Sequence, residues 1–505
     1  MDLRKIAKKL FVPGDKLSQR AVSAGFWGGL SRMGLKMFGI IRNLILARIL
    51  APEDFGLFGI ALITLSFLDT FTQHGMNEAL IQKKVPNMED YMHTAWTVKM
   101  IRGFVMSGLL YLLAPLIAQF FKEPAAISLF HIIALSLIFG GLGNIGMIKF
   151  TKDLEFHKRF VYEFCSVLID LIVSMTMAFW LRNAYALAYG YLAGVASGCI
   201  LSYVLHPFRP KIQINLQQAR ELMHFGKWVW GRTVVQFFLG QGAPTFIGRM
   251  YSPALLGIYQ MAGTLSKAMS QDLPMIIHDV SYPLYSGIQD KVGKLQYVYI
   301  KNIKILTFIL FPLGVFLFAF ADQVVLVLLG AKWTDTIPLV RIMVFSGVIN
   351  SVSSPNNAMV VALGRPDVLT KRNLVKLVAL AGLLYPLSKL WQLEGVAFAA
   401  LLSNLIALPS LYTVVLEKIQ LRMSVIVKVS AIILVNSVIS VFTIFQISHG
   451  LPLSGIWLLI VEFSLAGLLY LTLSYLTDLK FNYGLRRALE KDFIRNLLDL
   501  NKAGA

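Results

Sequence analysis

Apolar runs of about 20 residues, the length that crosses a bilayer as helix, recur through nearly the whole chain. About fourteen stand out, over approximately 22–50, 54–80, 93–119, 124–148, 160–181, 184–206, 224–248, 253–284, 299–321, 336–363, 371–391, 394–416, 423–447 and 453–477. Proline, glycine or charge separates most of them, which predicts helices joined by short turns. The eighth and tenth are long and hold Pro274 and Pro355, where kinks are expected. Beyond the last run, Phe481–Leu500 changes pattern: Leu485, Leu489, Phe493 and Leu497 recur every four residues with basic residues between them. That spacing predicts an amphipathic helix lying on a membrane surface.

Composition agrees with the pattern, because 56% of the 505 residues are hydrophobic and only 15% are charged. A water-soluble protein this apolar would expose large sticky patches, whereas a bilayer solvates them. The net charge of +20 is scattered in clusters between apolar runs, which sets membrane topology rather than building a nucleic-acid surface. Arg4, Lys5, Lys8, Lys9, Lys16 and Arg20 precede the first run, and every second loop is basic afterwards, for example at Lys149 and Lys152, at Arg209 and Lys211, and at Arg365 and Lys371. Intervening loops carry little beyond Lys122, Arg182 and Lys332. Both termini are therefore expected in the cytoplasm, with an even number of spans. The basic N-terminus lacks an adjacent apolar core and cleavage site, so it does not read as a cleavable signal.

An internal repeat runs through this pattern. ARILAPEDFGLFGIA (47–61) and GRMYSPALLGIYQMA (248–262) align at a constant offset of 201, pairing Arg48 with Arg249, Pro52 with Pro253, Gly56 with Gly257 and Ala61 with Ala262. The same offset pairs Gly25 with Gly226 and Trp27 with Trp228. The expected organisation is a cytoplasmic tail (1–20), an N-lobe of six spans (21–212), a parallel C-lobe of six (213–420), two extra spans (421–478) and a cytoplasmic amphipathic tail (479–505). Parallel repeats around a cavity are a recurrent transporter design.

Ionisable groups at membrane depth are costly, so they face a cavity or a partner. Gly25, Arg32, Lys36, Gly39 and Asn43 share a face of span 1, Asp69 and Gln73 a face of span 2, Arg232 and Gln236 a face of span 7, and Gln260, Lys267, Gln271 and Pro274 a stripe of span 8; span 3 adds Lys99 and Arg102. Cations outnumber acids, which suits anionic cargo: arginine forks onto phosphate oxygens and lysine supplies a point charge. Internal pairing, such as Lys36 with Asp69 or Lys267 with Asp272, stands beside cavity lining as the alternative for each. Cys165 and Cys199 read as small buried apolar groups, and the eight histidines show no metal-ligand spacing. Without a phosphate-binding glycine loop or a large extramembrane segment, neither ATP-driven transport nor an enzyme is expected, and no cofactor.

Several ordered stretches resemble the polysaccharide-transporter family, the Wzx-type flippases of the multidrug/oligosaccharidyl-lipid/polysaccharide exporter superfamily, nearest the colanic-acid and exopolysaccharide exporters. They are ARILAPEDFGLFGIA (47–61), EALIQK (78–83), FKEP (121–124), LEFHKR (154–159), ALAYGYLAG (186–194), SYVLHPFRPKI (202–212), FGKWV (225–229), LLGAKW (328–333) and ALGRPD (362–367). The resemblance implies an all-α, two-lobed fold in the bacterial inner membrane. It implies movement of undecaprenyl-pyrophosphate-linked oligosaccharide to the periplasmic leaflet for exopolysaccharide, capsule or lipopolysaccharide synthesis, driven by an ion gradient, beside a polymerase and a chain-length regulator. The chain departs from the family at Ala243, where relatives often carry an acid, and at Lys99 and Arg102, where they are often neutral. Two rivals remain: a multidrug or small-solute antiporter of the same fold, which favours an acidic cavity, and a non-transporting scaffold for polysaccharide enzymes.

Overall fold

Prolines in the sequence mark several helix starts. The structure, a computed structural model, describes residues 17–72, 79–80, 88–153, 155–268, 272–448 and 454–481. Its helices, in chain order, are α1 (Leu17–Ile49), α2 (Pro52–Thr72), α3 (Met88–Phe121), α4 (Ala126–Leu142), α5 (Met147–Lys152), α6 (Phe156–Leu181), α7 (Tyr185–Leu205), α8 (Leu216–Met250), α9 (Pro253–Ala268), α10 (Asp272–Gly287), α11 (Val292–Ala319), α12 (Ala321–Leu328), α13 (Thr336–Val352), α14 (Ser354–Ala362), α15 (Pro366–Ala407), α16 (Pro409–Lys418), α17 (Met423–Ser448) and α18 (Gly455–Phe481). Pro52, Pro253, Pro366 and Pro409 each take the first position of a helix, where a missing N–H breaks no intrahelical bond. Asp54 accepts from Ala51 N at 2.9 Å at the start of α2, and the Asn215 side chain accepts from the N–H groups of Gln217 and Gln218 at the start of α8.

The chain is an all-α, multi-pass membrane protein. Nine helical stretches among the described residues are long and apolar enough to cross a bilayer. Pro355 lies in the first turn of α14, just after the turn at Ser353 that parts it from α13 within the one membrane-length stretch Thr336–Ala362; Pro274 lies in the first described turn of α10, and residues 269–271 ahead of it lie outside the described residues. The expected fourth span also ends early: α4 stops at Leu142, and buried Asn144 makes the corner. Its amide donates to Phe208 O at 2.7 Å, and its Oδ1 accepts from Gly146 N at 2.8 Å. Inside α15 the backbone leaves helical geometry at Trp391 and Gln392, dividing it where two spans were expected to meet. The N-terminal tail and most of the Phe481–Leu500 segment lie outside the described residues.

Two compact units emerge, Met1–Gln260 and Met261–Ala505. In the first, α6 packs on α7 and α1, and α4 packs on α3 and α7. Lipid is as apolar as leucine, so close backbone approach, not burial of apolar surface, must hold such helices together. Gly190, Gly194 and Gly198, one face of α7, provide it: a Cβ at 190 would lie 1.7 Å from Ser174 Oγ, and one at 194 would lie 2.9 Å from Asp170 Cβ. Outward positions stay apolar, with Leu112 76% and Trp180 79% exposed, as lipid-facing side chains should be.

The repeated motif packs on itself. A Cβ at Gly56 would lie 1.7 Å from Pro253 O, and one at Gly257 would lie 2.0 Å from Pro52 O. Residues matched by the repeat therefore meet reciprocally, as across a two-fold axis, and glycine is required at both because a carbonyl occupies the side chain's place.

In the second unit, α10 packs on α14, and α11 packs on α13 and α17. Two buried tyrosine hydroxyls there find partners: Tyr299 Oη donates to Asn356 Oδ1 at 2.6 Å, and Tyr470 Oη to Phe308 O at 2.8 Å.

Candidate functional site

Within the first unit, α1, α3, α4, α6 and α7 enclose a cavity of about 710 Å³, and a smaller one of about 170 Å³ adjoins it. Lys99, Gly140, Tyr191 and Val195 line both. The glycine face of α7 admits the backbone of α6, while Gly140 leaves open space where a side chain would stand. Tyr162, Ser166, Tyr191, Asn144 and Ser202 contribute polar groups to the larger cavity.

Most of the charge here is neutralised in pairs. Arg42 Nη2 lies 3.0 Å from Asp170 Oδ1, with both side chains largely buried, and also donates to Ser174 Oγ at 3.1 Å. Ser174 Oγ in turn donates to Asp170 Oδ1 at 2.9 Å. Arg159 Nε lies 2.7 Å from Glu163 Oε1. Arg102 forms an ion pair with Asp69, and its Nε donates to Thr72 Oγ1 at 2.8 Å. Among the described residues, Lys99 Nζ reaches a single carbonyl, Gly143 O at 3.4 Å, and forms no ion pair. A paired wall with one surplus cation attracts an anion, strongly so in a low-dielectric setting.

Of the residues singled out by sequence, Asp69, Lys99 and Arg102 come together at these cavities. Asp69 takes Arg102 as its partner. Lys36 and Asn43 are half-buried on α1 and Gln236 is exposed on α8, none of them lining either cavity. Lys267 is exposed near the end of α9, in the second unit. Gln73 and Gln271, and the side chains of Arg32 and Arg232, lie outside the described residues. Arg42 and Asp170 escaped the reading, although both are ionisable groups inside expected spans and the same cost argument marks them. Cys199 is half-buried and lines the larger cavity rather than packing away in a core. Among the described residues no group of three or more histidine, cysteine, aspartate or glutamate side chains is placed to hold a metal ion.

One end of the larger cavity is the Asn144 corner, which Ser202 ties down by accepting from Asn144 N at 2.9 Å. His206, the first residue after α7, is buried there and accepts from Phe208 N through Nδ1 at 3.0 Å. Burial, then Lys149 and Lys158, hold its imidazole below the ordinary histidine range, so the neutral form fits the corner.

The model of the family described as "Polysaccharide biosynthesis protein" matches residues 45–338, more than half of the chain. The chain belongs to that family. Among relatives, the lipopolysaccharide biosynthesis protein WzxC of Escherichia coli K12 is 24% identical over 71% of this chain and 73% of its own length. The teichuronic acid biosynthesis protein TuaB of Bacillus subtilis 168 is 21% identical over 70% and 73%. In fold, the chain is similar to the lipid II flippase MurJ in an inward closed conformation, with a TM-score of 0.74 at 15% identity, covering 90% of this chain and 98% of that one. An inward-facing multidrug transporter of the MATE family gives a TM-score of 0.58 at 14% identity, covering 78% and 98%. The protein is thus a multi-pass membrane protein of that family, with a fold shared with the MurJ flippase and a MATE transporter.

Proposed function

We propose that this protein is a transporter, a flippase that carries undecaprenyl-pyrophosphate-linked oligosaccharide repeat units from the cytoplasmic to the periplasmic leaflet, for exopolysaccharide, capsule or lipopolysaccharide synthesis. Fourteen spans, arranged as an N-lobe (21–212), a C-lobe (213–420) and two further helices (421–478), with both termini in the cytoplasm, would move by alternating access. The observation that carries the reading is the surplus cation Lys99 in a cavity whose other charges are paired. A drug antiporter would instead need an unpaired acid to attract cationic drugs, and Asp69, Glu163 and Asp170 each have an arginine. The relatives from Escherichia coli and Bacillus subtilis are named for lipopolysaccharide and teichuronic acid synthesis, which supports a polymer precursor as cargo. A polymerase and a chain-length regulator are the expected working partners.

The test is a deletion strain analysed by mass spectrometry of undecaprenyl-linked oligosaccharides with leaflet-selective labelling. A complete repeat unit should accumulate on the cytoplasmic leaflet. A normal lipid-linked pool together with ordinary surface polymer would refute the proposal.

A further inference from the structure

The cavity around Lys99 has an uncharged side. Tyr162 and Ser166, one turn apart on α6, come together against Gly198 of α7: a Cβ at 198 would lie 3.3 Å from Tyr162 Oη and 3.0 Å from Ser166 Oγ. All three residues line the cavity, and both side chains are half-buried. Ser166 Oγ donates to Tyr162 O at 2.9 Å, which uses its proton and leaves its lone pairs as acceptors. Among the described residues the Tyr162 hydroxyl makes no hydrogen bond, so it is able to donate. Asn144 and Ser202 are spent within the fold instead: the Asn144 amide donates to Phe208 O, and Ser202 Oγ donates to Cys199 O at 2.6 Å while accepting from Asn144 N.

The cavity measures about 710 Å³, inside the roughly 300–1,000 Å³ of small-molecule sites. A hydrocarbon chain lodged against this wall would leave a donor and an acceptor unmatched, which is unfavourable. A sugar hydroxyl both donates and accepts, so it answers Tyr162 and Ser166 together. Tyrosine also brings an apolar ring, which suits the C–H faces of a pyranose. Lys99 stands on the wall of the same cavity and supplies a point charge for phosphate. Neutral hydroxyls on one side and a cation on another match a ligand with an uncharged polyhydroxyl body and an anionic end.

We infer that Tyr162 and Ser166 form a sugar subsite beside Lys99, which reads the sugar nearest the phosphate of the cargo. Its ligand class is a hexose bonded to phosphate through its anomeric carbon. The inference rests on the flippase reading of the cavity and adds to it the residues that discriminate one cargo from another.

The experiment uses the purified full-length protein in phosphatidylcholine nanodiscs, titrated by calorimetry with inorganic phosphate and with the 1-phosphates of glucose, galactose and N-acetylglucosamine. At least one sugar phosphate should bind about tenfold more tightly than inorganic phosphate, the worth of one well-made hydrogen bond. Tyr162→Phe, which removes one oxygen and keeps the ring, and Ser166→Ala should each remove most of that preference and leave inorganic phosphate binding as it is. Lys99→Gln should weaken both kinds of ligand. Tyr189→Phe is the control, since Tyr189 is 38% exposed on α7 and lines neither cavity. A preference that survives both Tyr162→Phe and Ser166→Ala overturns the inference. Inorganic phosphate binding through Lys99 with no gain from any sugar also overturns it, while leaving the flippase reading in place. Binding of none of the probes overturns the inference and removes this cavity from the flippase reading as well.

Discussion

Lys99 and Arg42 are both cations in mid-helix, and they have opposite needs. Arg42 has a carboxylate and a hydroxyl within reach; among the described residues Lys99 has a single carbonyl. An ion kept in a low-dielectric setting without a counter-charge lowers stability, so it persists where function requires it. Lys99→Gln should therefore keep or raise the thermal unfolding temperature in detergent while surface polymer falls, and Lys99→Arg should retain more polymer than Lys99→Gln. Unchanged polymer in Lys99→Gln would remove this lysine from the transport cavity. The Arg42–Asp170 pair predicts the reverse. Removing one partner strands a buried charge, at a cost of about 3–5 kcal/mol, so Arg42→Met should lower stability sharply and Arg42→Met with Asp170→Asn should recover much of the loss. A double-mutant cycle on unfolding temperatures checks this, and additive effects of the two changes would show the pair to be uncoupled.

Among the helices, the parts of the fold readable in the sequence were those written in local chemistry. Proline at positions 52, 253, 366 and 409 announces helix starts, and apolar length announces the helices themselves. The corner at Asn144 was not readable, because an asparagine between glycines inside an apolar run turns the chain only when Phe208 and Ser202, some sixty residues away, supply its partners. The site was legible in part for the same reason. The ionisable residues of α3 stood out against their span, but which acid meets which base depends on how helices rotate against one another, so Arg102 rather than Lys36 was not foreseeable as the partner of Asp69. The Asn144 corner carries a pH dependence whose sign is fixed. The folded pKa of His206 is depressed by burial and by Lys149 and Lys158, whereas the unfolded chain titrates near about 6.5. The unfolded state then binds more protons, so the corner loses stability as pH falls below about 6.5. Protonation of Nδ1 also removes the acceptor for Phe208 N. Hydrogen exchange of the segment 203–210 should accelerate between pH 7.5 and pH 5.5 beyond the intrinsic rate. His206→Asn, which retains an acceptor but does not titrate, should abolish that excess; the same excess in the variant would place its origin elsewhere.

At the scale of the whole molecule, the open quantity is how many times the chain crosses the bilayer. Nine stretches pass on length and hydropathy, and one of them, Pro366–Lys418, contains two expected spans divided at Gln392. The expected spans left over are those of α1, α4, α8 and the α9–α10 segment, and they fall short for physical reasons. α4 is shortened by the Asn144 corner, and residues 269–271 of the α9–α10 segment lie outside the described ones. α1 carries Lys36, Arg42 and Arg48, and α8 carries Arg232 and Arg249. Hydropathy charges such residues as though they faced lipid. Arg42, however, is neutralised by Asp170 inside the first unit, so a helix that turns its charges toward protein can cross a bilayer despite a low mean hydropathy. We propose fourteen crossings with both termini in the cytoplasm, a count that the alternation of basic loops supports. The prediction is that green fluorescent protein fused to the C-terminus fluoresces, that alkaline phosphatase is active when fused after Lys122 or Lys332, and that it is inactive after Lys211 or Arg365. Active phosphatase after Lys211 would mean an odd number of crossings before α8. The repeats would then be inverted rather than parallel, and the reciprocal packing of Gly56 and Gly257 would have to arise without an axis along the membrane normal.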